Sequence, residues 1–202
     1  MRVAICGGGA IGVCAAYFLA RRGIGVTVVE RTEVAAAASG KAGGFLALDW
    51  CAGTPLDALA RRSFQLHATL QDETGADWSY RRMNAYSGVV VAERSPRRHA
   101  ASVLAWLSDG IVITNRLGPP QTTALLPPRS FSSAMMRTAQ GHGATLHLGA
   151  ITGLVRAADG ATIRGVEVGG RLIEADAVVI AMGPWSVLAS GWIGLPAVYG
   201  LQ

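Results

Sequence analysis

Charge is scarce in this chain. Asp, Glu, Lys and Arg make up only 15% of its 202 residues, against about a quarter in an ordinary soluble domain. Half of the residues are hydrophobic, and the mean hydropathy is +0.34. Intrinsic disorder is thereby excluded, since it needs high charge and little apolar surface to bury. Cysteine is scarce too. Cys6, Cys14 and Cys51 cannot all pair with one another, and no Cys-x-x-Cys or Cys/His ligand spacing occurs. Structural zinc is disfavoured, and a reducing compartment, the cytoplasm, is the expected location. The four histidines, His67, His99, His142 and His147, show no metal spacing with one another or with carboxylates. No metal site is assigned. The net charge of +5 comes from arginines scattered in pairs: Arg21-Arg22, Arg61-Arg62, Arg81-Arg82 and Arg97-Arg98. Without a gathered basic face and interleaved aromatics, no nucleic-acid partner is expected.

Val3–Ala20 carries no charged residue. This run approaches a short transmembrane helix in length and follows Arg2, a minimal basic flank for a signal peptide. Gly7-Gly8-Gly9 would break such a helix near its start. A buried strand, a tight turn and a buried helix explain the same residues better, so no transmembrane segment is expected.

What is present is glycine, 26 residues of it, placed at turns. Arg2–Cys6 reads as a strand, Gly7–Gly9 as a turn, Ala10–Arg22 as a helix stopped by Gly23, and Val26–Glu30 as a second strand. Together they make one βαβ unit. A small-residue segment, Ala35–Gly44, follows. Helical patterns cover Thr54–Thr74, His99–Leu107 and Ser130–Gln140, with a strand at Tyr86–Ala92. Leu117-Gly118-Pro119-Pro120 and Leu126-Pro127-Pro128 mark a crossing between domains. Short strands are expected at Thr145–Leu148, Ile151–Arg156, Ile163–Val168 and Arg171–Glu174, with hairpin turns at Asp159-Gly160 and Gly169-Gly170. Asp176–Met182 reads as a buried strand. The length suits one core, or one domain plus part of a second.

Gly7-Gly8-Gly9-Ala10-Ile11-Gly12 satisfies G-x-G-x-x-G. In a dinucleotide site Gly7 allows the tight turn, Gly9 lets backbone approach a pyrophosphate, and Gly12 lets the helix pack close to the sheet. The helix N-terminus then presents free N–H groups and a favourable dipole to the phosphates. Alone the motif is weak. Here it sits between a strand and a helix, and Glu30 ends the next strand where a ribose-binding carboxylate belongs. That acid disfavours a 2′-phosphate, which leaves FAD or NAD.

The ordered segments GGGAIGVCAAYFLARRG, VTVVER, AAAASGKAGG and ADAVVIAMGPWS resemble the D-amino-acid oxidase-like family of FAD-dependent oxidoreductases, which includes glycine and sarcosine oxidases. SGKAGGFLALDWC resembles a eukaryotic branch of uncharacterised oxidoreductases within it. The resemblance implies FAD as cofactor. It implies a Rossmann-like α/β domain of the three-layer GR2 type, built from residues 1–50 and 125–202, with a partial α+β substrate domain at 51–124. It matches Gly7, Gly9 and Gly12, with Ala10 and Ile11 between them, to the pyrophosphate turn. Glu30 matches the ribose ligand and Arg31 the adenine end. Ser39, Gly40, Lys41, Ala42, Gly43 and Gly44 match the loop that runs toward the isoalloxazine. Lys41 either adds charge there or is an exposed loop lysine. Val155 matches the position whose backbone meets adenine, and Ala181, Met182 and Gly183 the strand end beside the cofactor. Met182 departs from the small polar residue usual there. Asp49-Trp50-Cys51 lines a substrate side or simply packs, and Trp185 is read as packing.

The implied reaction oxidises a C–N bond of an amine or amino acid by hydride transfer to flavin, followed by imine hydrolysis. No side chain is nominated as a catalytic base. Family members continue well beyond this length, so a truncated or fragmentary chain is expected, without the residues that grip the substrate. A non-catalytic FAD-binding or regulatory protein is the main alternative, and a NAD-linked dehydrogenase a lesser one.

Overall fold

A computed structural model describes residues 1–90, 104, 106, 107 and 110–194. They form two compact units. The first contains Met1–Gly43, Thr74–Ser79 and the described residues from Pro127 on; the second contains Gly44–Glu73 and the described residues of Tyr80–Leu126.

The first unit is built on a four-stranded parallel sheet. β1 (Arg2–Cys6) is flanked by β2 (Gly25–Glu30) on one side and β12 (Ala177–Ile180) on the other, and β8 (Thr145–Leu148) completes the order β12-β1-β2-β8. Val3, Ala4, Ile5 and Cys6 are all buried. A strand covered on both faces has no reason to alternate apolar and polar residues. Its two faces still differ. The small Ala4 and Cys6 join Val29, Val166, Val168 and Ala175 in one core cluster. These last contacts come from a three-stranded antiparallel layer of β9 (Ile151–Arg156), β10 (Ile163–Val168) and β11 (Arg171–Glu174). Ile5 faces the other way, toward α1 (Ala10–Ala20).

Helix α1 buries Gly12, Val13, Ala16, Tyr17 and Ala20, a spacing that keeps one stripe inward. Gly23, at φ +77°, turns the chain out of it. Helix α4 (Pro128–Gly141) starts with Pro at its first turn and packs on α1, burying Phe131, Ala134, Met135, Met136 and Ala139. Trp78 stands edge-on to Phe131, with ring centroids 5.2 Å apart, and is 1% exposed. That contact makes the short Thr74–Ser79 segment part of this unit. Helices, parallel sheet and antiparallel sheet give three layers.

The second unit holds α3 (Asp57–Thr74) and two small sheets. β3 (Phe45–Ala47), β7 (Thr123–Leu125) and β4 (Arg81–Arg82) form an antiparallel sheet, and β5 (Ala85–Val90) pairs with β6 (Ile111–Gly118). Thr123, buried in a short strand, donates its hydroxyl to the Met83 carbonyl at 2.6 Å. The Arg82 guanidinium lies 4.5 Å from the Phe64 ring centroid.

Several boundaries differ from the sequence reading. The first crossing between units falls at Gly43/Gly44, not near residue 50, because Phe45–Ala47 pairs with Thr123–Leu125 in the second unit. Leu117 and Gly118 end a strand rather than open a linker. The helix expected over His99–Leu107, and residues 91 and 92 of the strand expected from Tyr86, lie mostly outside the described residues.

Candidate cofactor site

The turn after β1 is held by backbone contacts that only glycine permits. Gly7 sits at φ +112°, and a Cβ there would meet the Ala181 carbonyl oxygen at 2.5 Å. Its N–H donates to the Val29 carbonyl at 2.8 Å, while Ala181 N–H donates to the Cys6 carbonyl at 2.9 Å. The ends of β1, β2 and β12 are thereby locked together at their carboxyl side. In open α/β sheets this is where ligands bind, at the point where connections leave in opposite directions.

Gly9 is the N-cap of α1 and has no side chain to cap it. Ser39, thirty positions on in the chain, does that work: Ala10 N–H donates to its Oγ at 2.9 Å. The Ser39 hydroxyl keeps its own proton to donate. Ile11 and Gly12 lie in the first turn, where N–H groups have no intrahelical acceptor. A Cβ on Gly9 would stand 3.0 Å from Ser39 Oγ, and one on Gly12 would stand 1.9 Å from the Gly7 carbonyl oxygen. Gly9 therefore opens the space in front of the helix, and Gly12 lets the helix sit against the turn.

Glu30 serves the turn as well as facing the cavity. Its Oε2 accepts from Gly8 N–H at 2.8 Å and its Oε1 from Thr32 N–H at 3.0 Å. Each oxygen retains a lone pair for a further donor such as a ribose hydroxyl. Ala35, at φ +60°, is a non-glycine residue in a left-handed conformation, a strain that clusters at functional sites. Its N–H donates to the Gly8 carbonyl at 3.0 Å. A Cβ on Gly40 would meet the Ala35 carbonyl oxygen at 2.0 Å, so Gly40 is there to let Ala35 take this position. Sequence reasoning gave no such role to Gly8 or Ala35, since each acts through a partner distant in the chain.

These elements enclose a cavity of about 480 Å³, within the size range of small-molecule and cofactor sites. Gly7, Gly9, Ala10, Ile11, Glu30, Arg31, Ser39, Ala181, Met182 and Gly183 line it. Gly12, Gly40, Lys41, Ala42 and Gly43 do not. Gly12 and Gly40 act by packing, and Lys41 is an exposed residue of the short helix α2 (Ala38–Lys41). Gly44 belongs to the second unit. The wall facing Glu30 is made by Gly149, Ala150 and Ile151, with Gly149 N–H donating to the Glu30 carbonyl at 2.8 Å. Val155 lies four residues along β9, paired with Gly165, and does not line the cavity. Trp185 does line it, rather than only packing.

Among the described residues that line the cavity, Glu30 and Arg31 alone are charged. A phosphate placed here would be met chiefly by N–H groups and the α1 dipole. The apolar Ile151, Ile180 and Met182 line the same cavity. The donors, the acceptors of Glu30 and the missing Cβ at Gly9 fit a dinucleotide with a pyrophosphate bridge. Residues 2–199 match the family of D-amino-acid oxidase-type FAD dependent oxidoreductases. The chain belongs to that family. Its cofactor is FAD.

Among curated proteins, a Schizosaccharomyces pombe protein named as a putative oxidoreductase is 32% identical over 146 residues, covering 68% of this chain and 38% of that protein. TDA3 of Saccharomyces cerevisiae, named likewise, is 40% identical over 93 residues, covering 42% of this chain and 17% of that protein. Among solved structures, glycine oxidase from Bacillus cereus is 28% identical with a TM-score of 0.73, covering 92% of this chain and 57% of the oxidase. The chain thus spans well under two thirds of the length of these relatives.

Burial pushes the thiols of Cys6 and Cys14 up to about 12, which leaves them inert as nucleophiles at neutral pH. Among the described residues no three His, Cys, Asp or Glu side chains gather to hold a metal ion. No described helix is long and apolar enough to cross a membrane.

Proposed function

We propose that the first unit holds FAD in this cavity and that the chain serves an oxidoreductase acting on the C–N bond of an amine or amino acid. The observation that carries the cofactor reading is the Gly7–Gly12 turn, closed by Glu30 and capped by Ser39, at the carboxyl end of a parallel sheet. The substrate class rests on the kinship with glycine oxidase. The chemistry that bound FAD supplies is hydride acceptance from a carbon next to nitrogen. This chain's residues bind and orient. The α1 N–H groups and the Ser39 hydroxyl hold the diphosphate, Glu30 accepts from the ribose hydroxyls, and Ala181–Gly183 pass beside the cofactor. The three cysteines are free, in keeping with a proposed cytoplasmic location.

The test is the visible spectrum of the purified, dialysed chain, with any cofactor identified after denaturation. Flavin bands and released FAD are the expected outcome, or, for a colourless preparation, stabilisation by added FAD. At a hundred times Kd, FAD should raise the melting temperature by roughly 5–10 °C in a chain of this size. A folded chain that neither carries nor responds to FAD would refute the cofactor reading. Bleaching of the flavin bands by an amine or amino acid under anaerobic conditions would support the substrate class.

A further inference from the structure

Among the described residues, only Ala35 and Ser79 take a left-handed backbone without being glycine. A Cβ makes that conformation unfavourable, so it persists where surrounding contacts over-determine it. Ser79 is exposed. Ala35 is 2% exposed and lines the cofactor cavity. Two contacts hold it at φ +60°. Its N–H donates to the Gly8 carbonyl at 3.0 Å. On its other side Gly40 comes so close that a Cβ there would meet the Ala35 carbonyl oxygen at 2.0 Å.

What this clasp orients is the glycine turn. Gly7, Gly8 and Gly9 follow one another, and a peptide between two glycines has little orientation of its own. The Gly8 carbonyl and the Gly9 N–H are opposite edges of one planar trans peptide, so a bond that holds the first also fixes the second. The preceding peptide is held as well, because Gly8 N–H donates to Glu30 Oε2 at 2.8 Å. Both polar groups of Gly8 are therefore tied to residues more than twenty positions away. Gly9 lines the cavity, and its N–H has no acceptor among the described residues.

We propose that Ala35 is a positioning residue for the diphosphate: through the Gly8 carbonyl, its N–H sets the Gly8–Gly9 peptide and with it the Gly9 N–H. This rests on the FAD reading of the cavity. The role belongs to the backbone of Ala35, to an N–H and a left-handed φ, and not to its methyl group. It concerns the phosphates and leaves the rest of the nucleotide to other residues. Fixing the donor before the ligand arrives lowers the entropy lost on binding.

The experiment measures the affinities of FAD, ADP and adenosine for the chain and for Ala35→Pro and Ala35→Gly, with thermal melts to verify folding. Proline has no N–H and holds φ near −65°. Ala35→Pro should therefore weaken FAD and ADP by about tenfold or more, as expected for one hydrogen bond to a charged group. Adenosine carries no phosphate and should bind that variant within about threefold of the unaltered chain, read by saturation-transfer NMR. Ala35→Gly keeps the N–H and takes positive φ readily, so it should bind all three within about threefold of the unaltered chain. Coupling between sites is reciprocal, so saturating ADP should slow hydrogen exchange of the Ala35 amide in the unaltered chain by about tenfold. That measurement needs no variant and decides should Ala35→Pro fail to fold. The proposal is overturned by unaltered ADP affinity in folded Ala35→Pro, or by equal losses of ADP and adenosine, which mark a collapsed cavity. A loss in Ala35→Gly as large as in Ala35→Pro, or an Ala35 amide that ADP does not slow, would overturn it too. An unaltered chain that binds neither FAD nor ADP would instead overturn the cofactor reading, and the positioning role with it.

Discussion

Replacing Gly12 by alanine tests the packing of the phosphate-facing helix. The added Cβ would lie 1.9 Å from the Gly7 carbonyl oxygen and 3.3 Å from Ile5 Cγ2. The first is more than an ångström short of the closest approach real Cβ atoms make, and the obstacle is backbone, which cannot rotate away. Helix α1 must therefore lift off the turn. Overpacking of this kind costs about 1–3 kcal/mol or more, and alanine regains about 1 kcal/mol through helix propensity. Against a backbone obstacle the overpacking stands at the upper end of that range, so the net loss is about 2 kcal/mol, or a melting temperature lower by roughly 4–8 °C. The same shift carries the Ala10, Ile11 and Gly12 N–H groups away from the phosphate position, so FAD affinity should fall at least tenfold. Differential scanning fluorimetry and a flavin-fluorescence titration read the two effects. Gly23→Ala is the control. Gly23 has φ +77° with nothing within 4 Å of the added Cβ, so it should lose about 1–2 kcal/mol to strain and leave the FAD affinity of the folded protein unaltered. If Gly12→Ala melts and binds FAD like the unaltered chain, the packing argument is wrong.

Gly9→Val should abolish cofactor retention, because a branched side chain would fill the space in front of α1 that Ser39 Oγ borders; equal flavin content in the purified variant would sink the site assignment. Glu30→Gln should weaken FAD and destabilise the first unit by about 1–2 kcal/mol, since charge-assisted bonds to Gly8 and Thr32 N–H become neutral ones; denaturant unfolding and FAD titration check both. Native thiol labelling at pH 8 should modify at most Cys51, with all three cysteines reacting after denaturation, because burial holds Cys6 and Cys14 at about 12. Fast labelling of two or more thiols in the folded chain would contradict that burial. Burial lowers the pKa of His67 below the ordinary 6.5, outweighing its bond to the Ser63 carbonyl. The unfolded chain then takes up a proton first as pH falls, so stability should drop from about pH 6.5 downward and level off below the depressed value. Urea unfolding between pH 7.5 and 5 should show that slope, and His67→Gln should reduce it.

The chain's local chemistry determined what most segments of the first unit become. Uncharged Val3–Cys6, the glycine turn and the Glu30 strand end specify a βαβ unit because strand, turn and helix preferences act over a few residues. Strands at Thr145–Leu148, Ile151–Arg156, Ile163–Val168 and Arg171–Glu174 fall where the alternation and hairpin turns put them. The cofactor glycines were legible for the same reason, since each sits at a turn or helix start with its own steric demand. Partner choice was not legible. Thr145–Leu148 pairs with Gly25–Glu30, more than a hundred residues away, rather than with its chain neighbour Ile151–Arg156. The three-residue Phe45–Ala47 becomes a strand only because Thr123–Leu125 meets it. Periodicity says which face of a strand is apolar but not how far along it a ligand lies. Hence Ile151, and not Val155, came to the cavity wall. Trp185 reads locally as an aromatic residue after Gly-Pro. It became a wall of the site only when the sheet order β12-β1-β2 brought it to Arg31, a meeting set by packing energy summed over the whole core rather than by either neighbourhood.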